Sequence, residues 1–130
     1  MGVHGLGVDI VSKERIGRIH KKYGDRFAER LFASKELEEY HAASDKGAFL
    51  AKRFAAKEAI SKVLGTGITA RVHLRDLILT HDEQGKPLVA LEGHAREVMM
   101  SLGMDTILIS ISDEKEHAIA FCIGANNGGL

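Results

Sequence analysis

The sequence predicts a single α+β domain in which an antiparallel sheet packs on a long helix. Three observations carry that prediction. The chain has 130 residues, the size of one domain. Short runs of strand-forming residues lie near both ends, while the stretch from 13 to 64 carries apolar residues at helical spacing. The later runs are joined by short turns, which favours antiparallel pairing over crossover connections. No internal repeat or linker divides the chain, so residues 1–125 are read as the domain and 126–130 as a flexible tail.

Residues 3–11 read as the first strand, β-branched and apolar around Gly5 and Gly7. Ser12 is positioned to cap a helix over 13–23, with Ile16, Ile19 and Tyr23 on one face and Gly24 at its end. Asp25 is expected to cap a second helix carrying Phe27 and Leu31, and Ser34 a third around Leu37 and Tyr40. Residues 41–47 are polar and loop-like. A longer helix spans about 47–64, and Gly65-Thr66-Gly67 stops it, with Gly65 suited to a left-handed cap. A strand through Leu77 and Leu79 turns at 82–85 and returns over 88–91. A helix over 92–102, a strand through Ile107, Ile109 and Ile111, a charged turn at 113–116 and a strand over 118–123 complete the chain.

Composition narrows the function classes. With 45% hydrophobic and 28% charged residues, the chain is globular rather than disordered. No apolar run approaches the ~18 residues of a membrane helix, and no signal peptide opens the chain, so no membrane partner is expected. Cys122 is the one cysteine, which excludes an internal disulfide and a cysteine-based zinc site and fits a reducing, cytoplasmic compartment. The net charge is zero but unevenly spread. Residues 13–30 hold seven Lys/Arg against three acids, residues 46–75 seven against one, and residues 76–130 three against nine. Two basic segments in one small domain point to an anionic ligand or partner.

The chemistry-bearing positions sit in those segments. Gly5-Leu6-Gly7 is no dinucleotide loop, because position 10 is Ile10 and the glycines lie inside a strand. Asp9 interrupts the first strand, either as an ordinary strand-end aspartate or as a carboxylate held rigidly for a hard cation. The long helix carries Arg53, Lys57, Glu58, Ser61 and Lys62. Glu58 and Lys62 are spaced as a helix-surface ion pair. Glu58 is also the single acid among the cations of 46–75, which suits joint binding of magnesium and polyphosphate. Both readings stand on the residues alone. The seven histidines show no metal-binding i,i+4 pair.

Gly5-Leu6-Gly7-Val8-Asp9-Ile10-Val11, taken with Arg53-Phe54-Ala55-Ala56-Lys57-Glu58-Ala59 and Lys62, resembles the holo-[acyl-carrier-protein] synthases, the short bacterial type of 4′-phosphopantetheinyl transferase. Gly65-Thr66-Gly67, Gly85-Lys86-Pro87 and the closing strand pair fit as well, so the resemblance covers essentially the whole chain. It implies that fold, and transfer of 4′-phosphopantetheine from coenzyme A to a serine of apo acyl carrier protein in fatty acid biosynthesis. It implies Mg²⁺ as cofactor on Asp9 and Glu58, and a homotrimer with active sites shared between subunits. Glu58 and Lys62 are the expected catalytic residues. Arg53, Lys57, Ser61, Lys62, Gly65 and Thr66 are expected at coenzyme A, and Arg15, Arg18, Lys21, Lys22 and Arg26 at the acidic carrier protein. In many relatives a histidine directly follows the Ser-x-Ser of the penultimate strand. Here Asp113 stands there, and His117 comes four residues later and inherits no role. The alternatives are a small basic-faced RNA-binding module or another Mg²⁺-dependent nucleotide enzyme. Against RNA, there is no aromatic stacking platform and the isoelectric point is near 7.1.

Overall fold

A computed structural model describes residues 2–65 and 72–126. Strand β1 (Gly2–Ser12) is followed by helices α1 (Lys13–Tyr23), α2 (Asp25–Leu31), α3 (Ser34–Ala42) and α4 (Lys46–Leu64). A 3-10 turn (Leu74–Asp76) leads into β2 (Leu77–His81) and β3 (Pro87–Leu91). Helix α5 (Gly93–Ser101) and strands β4 (Thr106–Asp113) and β5 (His117–Asn126) follow. All strand pairs are antiparallel, but they form two sheets: a three-stranded sheet in the order β1-β5-β4, and a separate β2-β3 hairpin.

Helix α4 is the hub. Leu50, Ala51, Ala55, Ala56, Ala59, Ile60, Val63 and Leu64 bury nearly its whole circumference, which is why it lacks a clean amphipathic period. Asp45 caps it by accepting from the Ala48 N–H at 3.0 Å. Gly65 closes it in the left-handed region, at φ 75°, as the sequence predicts. The three-stranded sheet meets α4 through small residues. Ala118, Ala120, Cys122 and Gly124 of β5 face the helix, beside Gly7 and Val11 of β1. A Cβ on Gly7 would land on the carbonyl oxygen of Ala59, so strand and helix backbones touch there. This close approach is the physical reason for Gly7, and at Gly5 a Cβ would meet the Val63 carbonyl in the same way. Gly7→Ala is expected to destabilise the protein by about 3 kcal/mol or more, at the upper end of overpacking costs, because the obstacle is backbone. A denaturant midpoint unchanged from the parent would refute it.

The opposite face of the sheet is apolar and open. Leu6 and Ile10 are each 61% exposed, and Val8, Leu108, Ile119 and Phe121 are exposed beside them. The register stacks these side chains in rungs: Leu6–Ile123–Leu108, then Val8 beside Phe121, then Ile10 beside Ile119.

Several boundaries differ from the sequence reading. The polar stretch 41–47 is mostly helical: α3 runs to Ala42 and α4 begins at Lys46, whose ammonium bonds the carbonyls of His41 and Ala43. The loop is only 43–45, and Asp45 within it caps α4. Asp25 does not cap α2; it is the first helical residue, and its Oδ1 accepts from the buried hydroxyl of Tyr40 at 2.8 Å. Ser34 likewise lies inside α3, and Glu36 secures the helix start by accepting from the Ala33 N–H. Asn126, expected to open the tail, is the last residue of β5, and 127–130 lie outside the described residues.

Candidate active site

Alternation along β1 turns Gly7, Asp9 and Val11 toward the helices and Val8 and Ile10 away. Asp9 therefore projects toward α4, where Glu58 and Lys62 stand one turn apart. Lys62 Nζ donates to the Val8 carbonyl at 2.8 Å and lies 3.3 Å from Asp9 Oδ1. Asp9 Oδ2 is buried and, among the described residues, accepts no hydrogen bond. The carboxyl of Glu58 is raised above the usual glutamate range, first by burial and then by the negative charge of Asp9. Lys62 and Arg15 oppose that rise. Arg15 reaches the pair because α1 starts directly after β1, with Ser12 accepting from the Arg15 N–H at 3.2 Å.

Two carboxylates, one with an unsatisfied buried oxygen, form a hard anionic site flanked by cations. Among the described residues no three His, Cys, Asp or Glu side chains converge. The donor set suits an ion such as Mg²⁺, which takes one or two protein carboxylates and completes its octahedron with water and phosphate oxygens.

The remaining expected ligand contacts divide. Lys57 does not join this site. One position along α4 from Glu58, it points some 100° away. Its ammonium is fully buried, donating to Glu36 Oε1 at 2.8 Å and to the carbonyls of Leu31 and Leu74 at 2.7 and 2.8 Å. Its three donors are thus spent within the fold. Burial pushes its pKa down to about 8, against the raising influence of Glu36. Arg53, one turn earlier, gives its guanidinium to Glu39 at 2.7 Å and Glu36 at 3.5 Å. Ser61 is buried and donates to the Glu58 carbonyl of its own helix at 2.7 Å. Gly65 is exposed at the helix end, and Thr66 and Gly67 lie outside the described residues.

A second feature escaped the sequence reading. A recess of about 380 Å³ is lined by Phe49, Lys52, Arg53, His81, Pro87 and Asp113, among others. Arg53 stacks on Phe49, 4.6 Å from the ring centroid. Asp113 is held at 2.7 Å by Lys13, which lowers its pKa. The i,i+4 spacing of Phe49 and Arg53 was the available signal, but the hairpin residues reach the recess only through tertiary folding.

Arg18, Lys21, Lys22 and Arg26 are all exposed on α1 and α2, and Arg18 lies 3.6 Å from Glu14. Beside them a groove of about 320 Å³ runs between the two helices, floored by Ile19, Tyr23 and Phe27 and rimmed by Arg26 and Arg30.

Residues 5–122 match the 4′-phosphopantetheinyl transferase superfamily, and the chain belongs to that family. Within it, the similarity runs to the holo-[acyl-carrier-protein] synthases. The one from Photobacterium profundum is 46% identical over 123 residues, covering 95% of this chain and 98% of its own. The crystal structure of the Neisseria meningitidis enzyme superposes with a TM-score of 0.90 at 38% identity, covering 96% of this chain and all of that one. The Helicobacter pylori enzyme, solved in complex with coenzyme A, superposes at 0.81 with 31% identity, covering 92% and 99%. This kinship leaves the RNA-binding alternative without support.

Proposed function

We propose that this chain transfers 4′-phosphopantetheine from coenzyme A to a serine hydroxyl of apo acyl carrier protein, in the cytoplasm and in the service of fatty acid biosynthesis. The observation that carries the reading is the Asp9–Glu58 pair: a buried, unsatisfied carboxylate oxygen beside a second carboxyl whose charge is destabilised. Asp9 and Glu58 would hold Mg²⁺. Bound there, the ion supplies electrostatic stabilisation of charge on phosphate oxygens.

In the reaction the serine oxygen forms a bond to the phosphorus bearing the pantetheine. The bridging anhydride P–O bond breaks, and adenosine 3′,5′-bisphosphate leaves. Glu58 is also placed to orient a water that receives the serine proton. Lys62 and Arg15 are the nearby cations that neutralise the phosphates. The recess of Phe49, Lys52, Arg53 and His81 combines an aromatic wall with cations, which suits the adenosine phosphate end of coenzyme A. The cationic rim and apolar floor between α1 and α2 suit an acidic helical partner. Intact mass measurement of apo carrier protein incubated with this protein, coenzyme A and Mg²⁺ tests the reading. A gain of one phosphopantetheine is the expected result, and an unchanged mass overturns it.

Arg18 is the cleanest probe of the docking face, since Arg15 also acts on Glu58. Arg18→Glu is expected to slow carrier association and weaken its salt dependence while coenzyme A affinity holds. Equal loss of both in a binding titration would move α1 into the nucleotide site.

The open sheet face supports a homotrimer. Six large apolar side chains from three strands are contiguous there, more than a soluble monomer ordinarily leaves to water. Ile107 is buried and Ile109 and Ile111 pack against the core, so of the apolar positions on β4 it is Leu108 that the assembly would use. Closed cyclic symmetry would give three equivalent sites, each with a neighbouring wall. Sedimentation at micromolar concentration should give about three times the chain mass; a fully active monomer would exclude a shared site.

A further inference from the structure

The recess that suits the adenosine phosphate end of coenzyme A is not purely cationic. Its charged lining sets Lys52, Arg53 and the imidazole of His81 against two carboxylates, Glu39 and Asp113. Asp113 is answered by Lys13 at 2.7 Å, and the charge of Lys52 also acts on it. Among the described residues Glu39 is answered only by Arg53, at 2.7 Å. Lys52 and His81 have no hydrogen-bond or ion-pair partner among the described residues. Glu39 thus cancels one of the two fixed cations that face an incoming phosphate.

Placing Arg53 does not require that carboxylate. The guanidinium stacks on Phe49, 4.6 Å from the ring centroid, and meets Glu36 at 3.5 Å. Glu36 is fully buried and shares its charge with Lys57 at 2.8 Å. Glu39 differs from it in exposure: its side chain is 39% exposed, against 6% for that of Arg53. It is therefore the partner of Arg53 that solvent and a ligand can reach. A carboxylate and a phosphate make the same paired contacts to a guanidinium fork, so they compete for it. A negative charge inside the recess also repels a phosphate held on any neighbouring cation.

We propose that Glu39 is a built-in competitor of the ligand phosphates: it occupies the guanidinium of Arg53 and lowers the affinity of the recess for coenzyme A and for adenosine 3′,5′-bisphosphate alike. This rests on the reading of the recess as the nucleotide site. The consequence falls on turnover. Coenzyme A and the leaving product share the adenosine and its 3′-phosphate, so a recess that grips one grips the other. Grip that is equal in substrate, transition state and product lowers KM without raising kcat, and it delays product release. Asp9 and Glu58 do not line this recess, so Glu39 loosens the nucleotide without drawing on the ion site.

The test uses the full chain, titrated with adenosine 3′,5′-bisphosphate and with coenzyme A. Glu39→Gln keeps the length and the acceptor oxygen of the side chain and removes its charge. It is expected to bind both ligands about fivefold more tightly at low salt, with the gain shrinking as salt rises. KM for coenzyme A should fall by a similar factor without a rise in kcat. Glu39→Ala, which removes the contact as well as the charge, should act in the same direction, because Phe49 and Glu36 still hold Arg53. Unchanged affinity in both variants, or a gain that does not respond to salt, overturns the competitor role. Weaker binding overturns it as well and makes Glu39 the group that orients Arg53. Lys52→Met separates the underlying reading from the proposal: it should weaken both ligands, and parental affinity in Lys52→Met would place the nucleotide elsewhere and overturn the recess reading itself.

Discussion

Asp9→Asn and Glu58→Gln are each expected to cut turnover at least about a hundredfold while the fold persists. A neutral amide is a poor ligand for Mg²⁺, and losing a ligand that positions several kcal/mol of charge stabilisation costs about a factor of ten per 1.4 kcal/mol. Folding should survive for reasons specific to each site. The Glu58 carboxyl is destabilised in its charged form, so Gln removes an unfavourable charge. Lys62, the ion partner of Asp9, keeps its bond to the Val8 carbonyl. Intact-mass rates at a series of Mg²⁺ concentrations, read beside thermal midpoints, separate the two effects. Near-parental rates at low Mg²⁺ in both variants would remove the pair from the chemistry.

The largest stability effect is expected on the other side of α4. Glu36 is fully buried and accepts from four groups: Ala33 N–H, Lys57 Nζ, Arg53 Nη1 and Leu79 N–H. It thereby ties α3, α4 and β2 at one point. Glu36→Gln leaves the Lys57 ammonium buried without a counter-charge, and Lys57→Met leaves Glu36 with only the longer 3.5 Å contact to Arg53; the first should cost about 3–5 kcal/mol and the second somewhat less. The double variant Glu36→Gln with Lys57→Met, which removes both charges, should recover part of that loss, because buried ion pairs contribute little net stability over neutral replacements. Denaturant midpoints of the two single variants and the double variant give the coupling directly. Strict additivity would mean that the two groups do not interact in the folded protein.

The secondary structure was legible because local signals agreed: a cap at Ser12, a left-handed glycine at 65, alternation in the last two strands. Asp9 and Glu58 stand out in the sequence for the same reason, each being a charge out of place in its surroundings, and the structure brings the two together. Lys57 was misread because its cation count is visible in sequence but its direction around the helix is not. Charge alone placed it at phosphate, whereas burial gave it to Glu36. The Phe49–His81–Asp113 recess was invisible, since it joins elements far apart in the chain. Asp25 and Ser34 read as caps on propensity, but Gly24 and Ala33 take those positions: the Asp25 carboxylate is engaged by the Tyr40 hydroxyl, and Glu36 bonds the Ala33 N–H.

Gly7 carries a meaning beyond packing. It is two residues from Asp9 on one strand, and the backbone it touches, at Ala59, adjoins Glu58. The absent side chain thus acts as a gauge block: it sets how far the strand stands from the helix, and with it the span between the two carboxylates that would share the proposed ion. Mg²⁺ tolerates little deviation from its ligand distances. A methyl group at this position would spoil the calibration of the ion site without altering any ligand, so a Gly7→Ala protein rescued by stabilising changes elsewhere would fold and still hold its ion poorly.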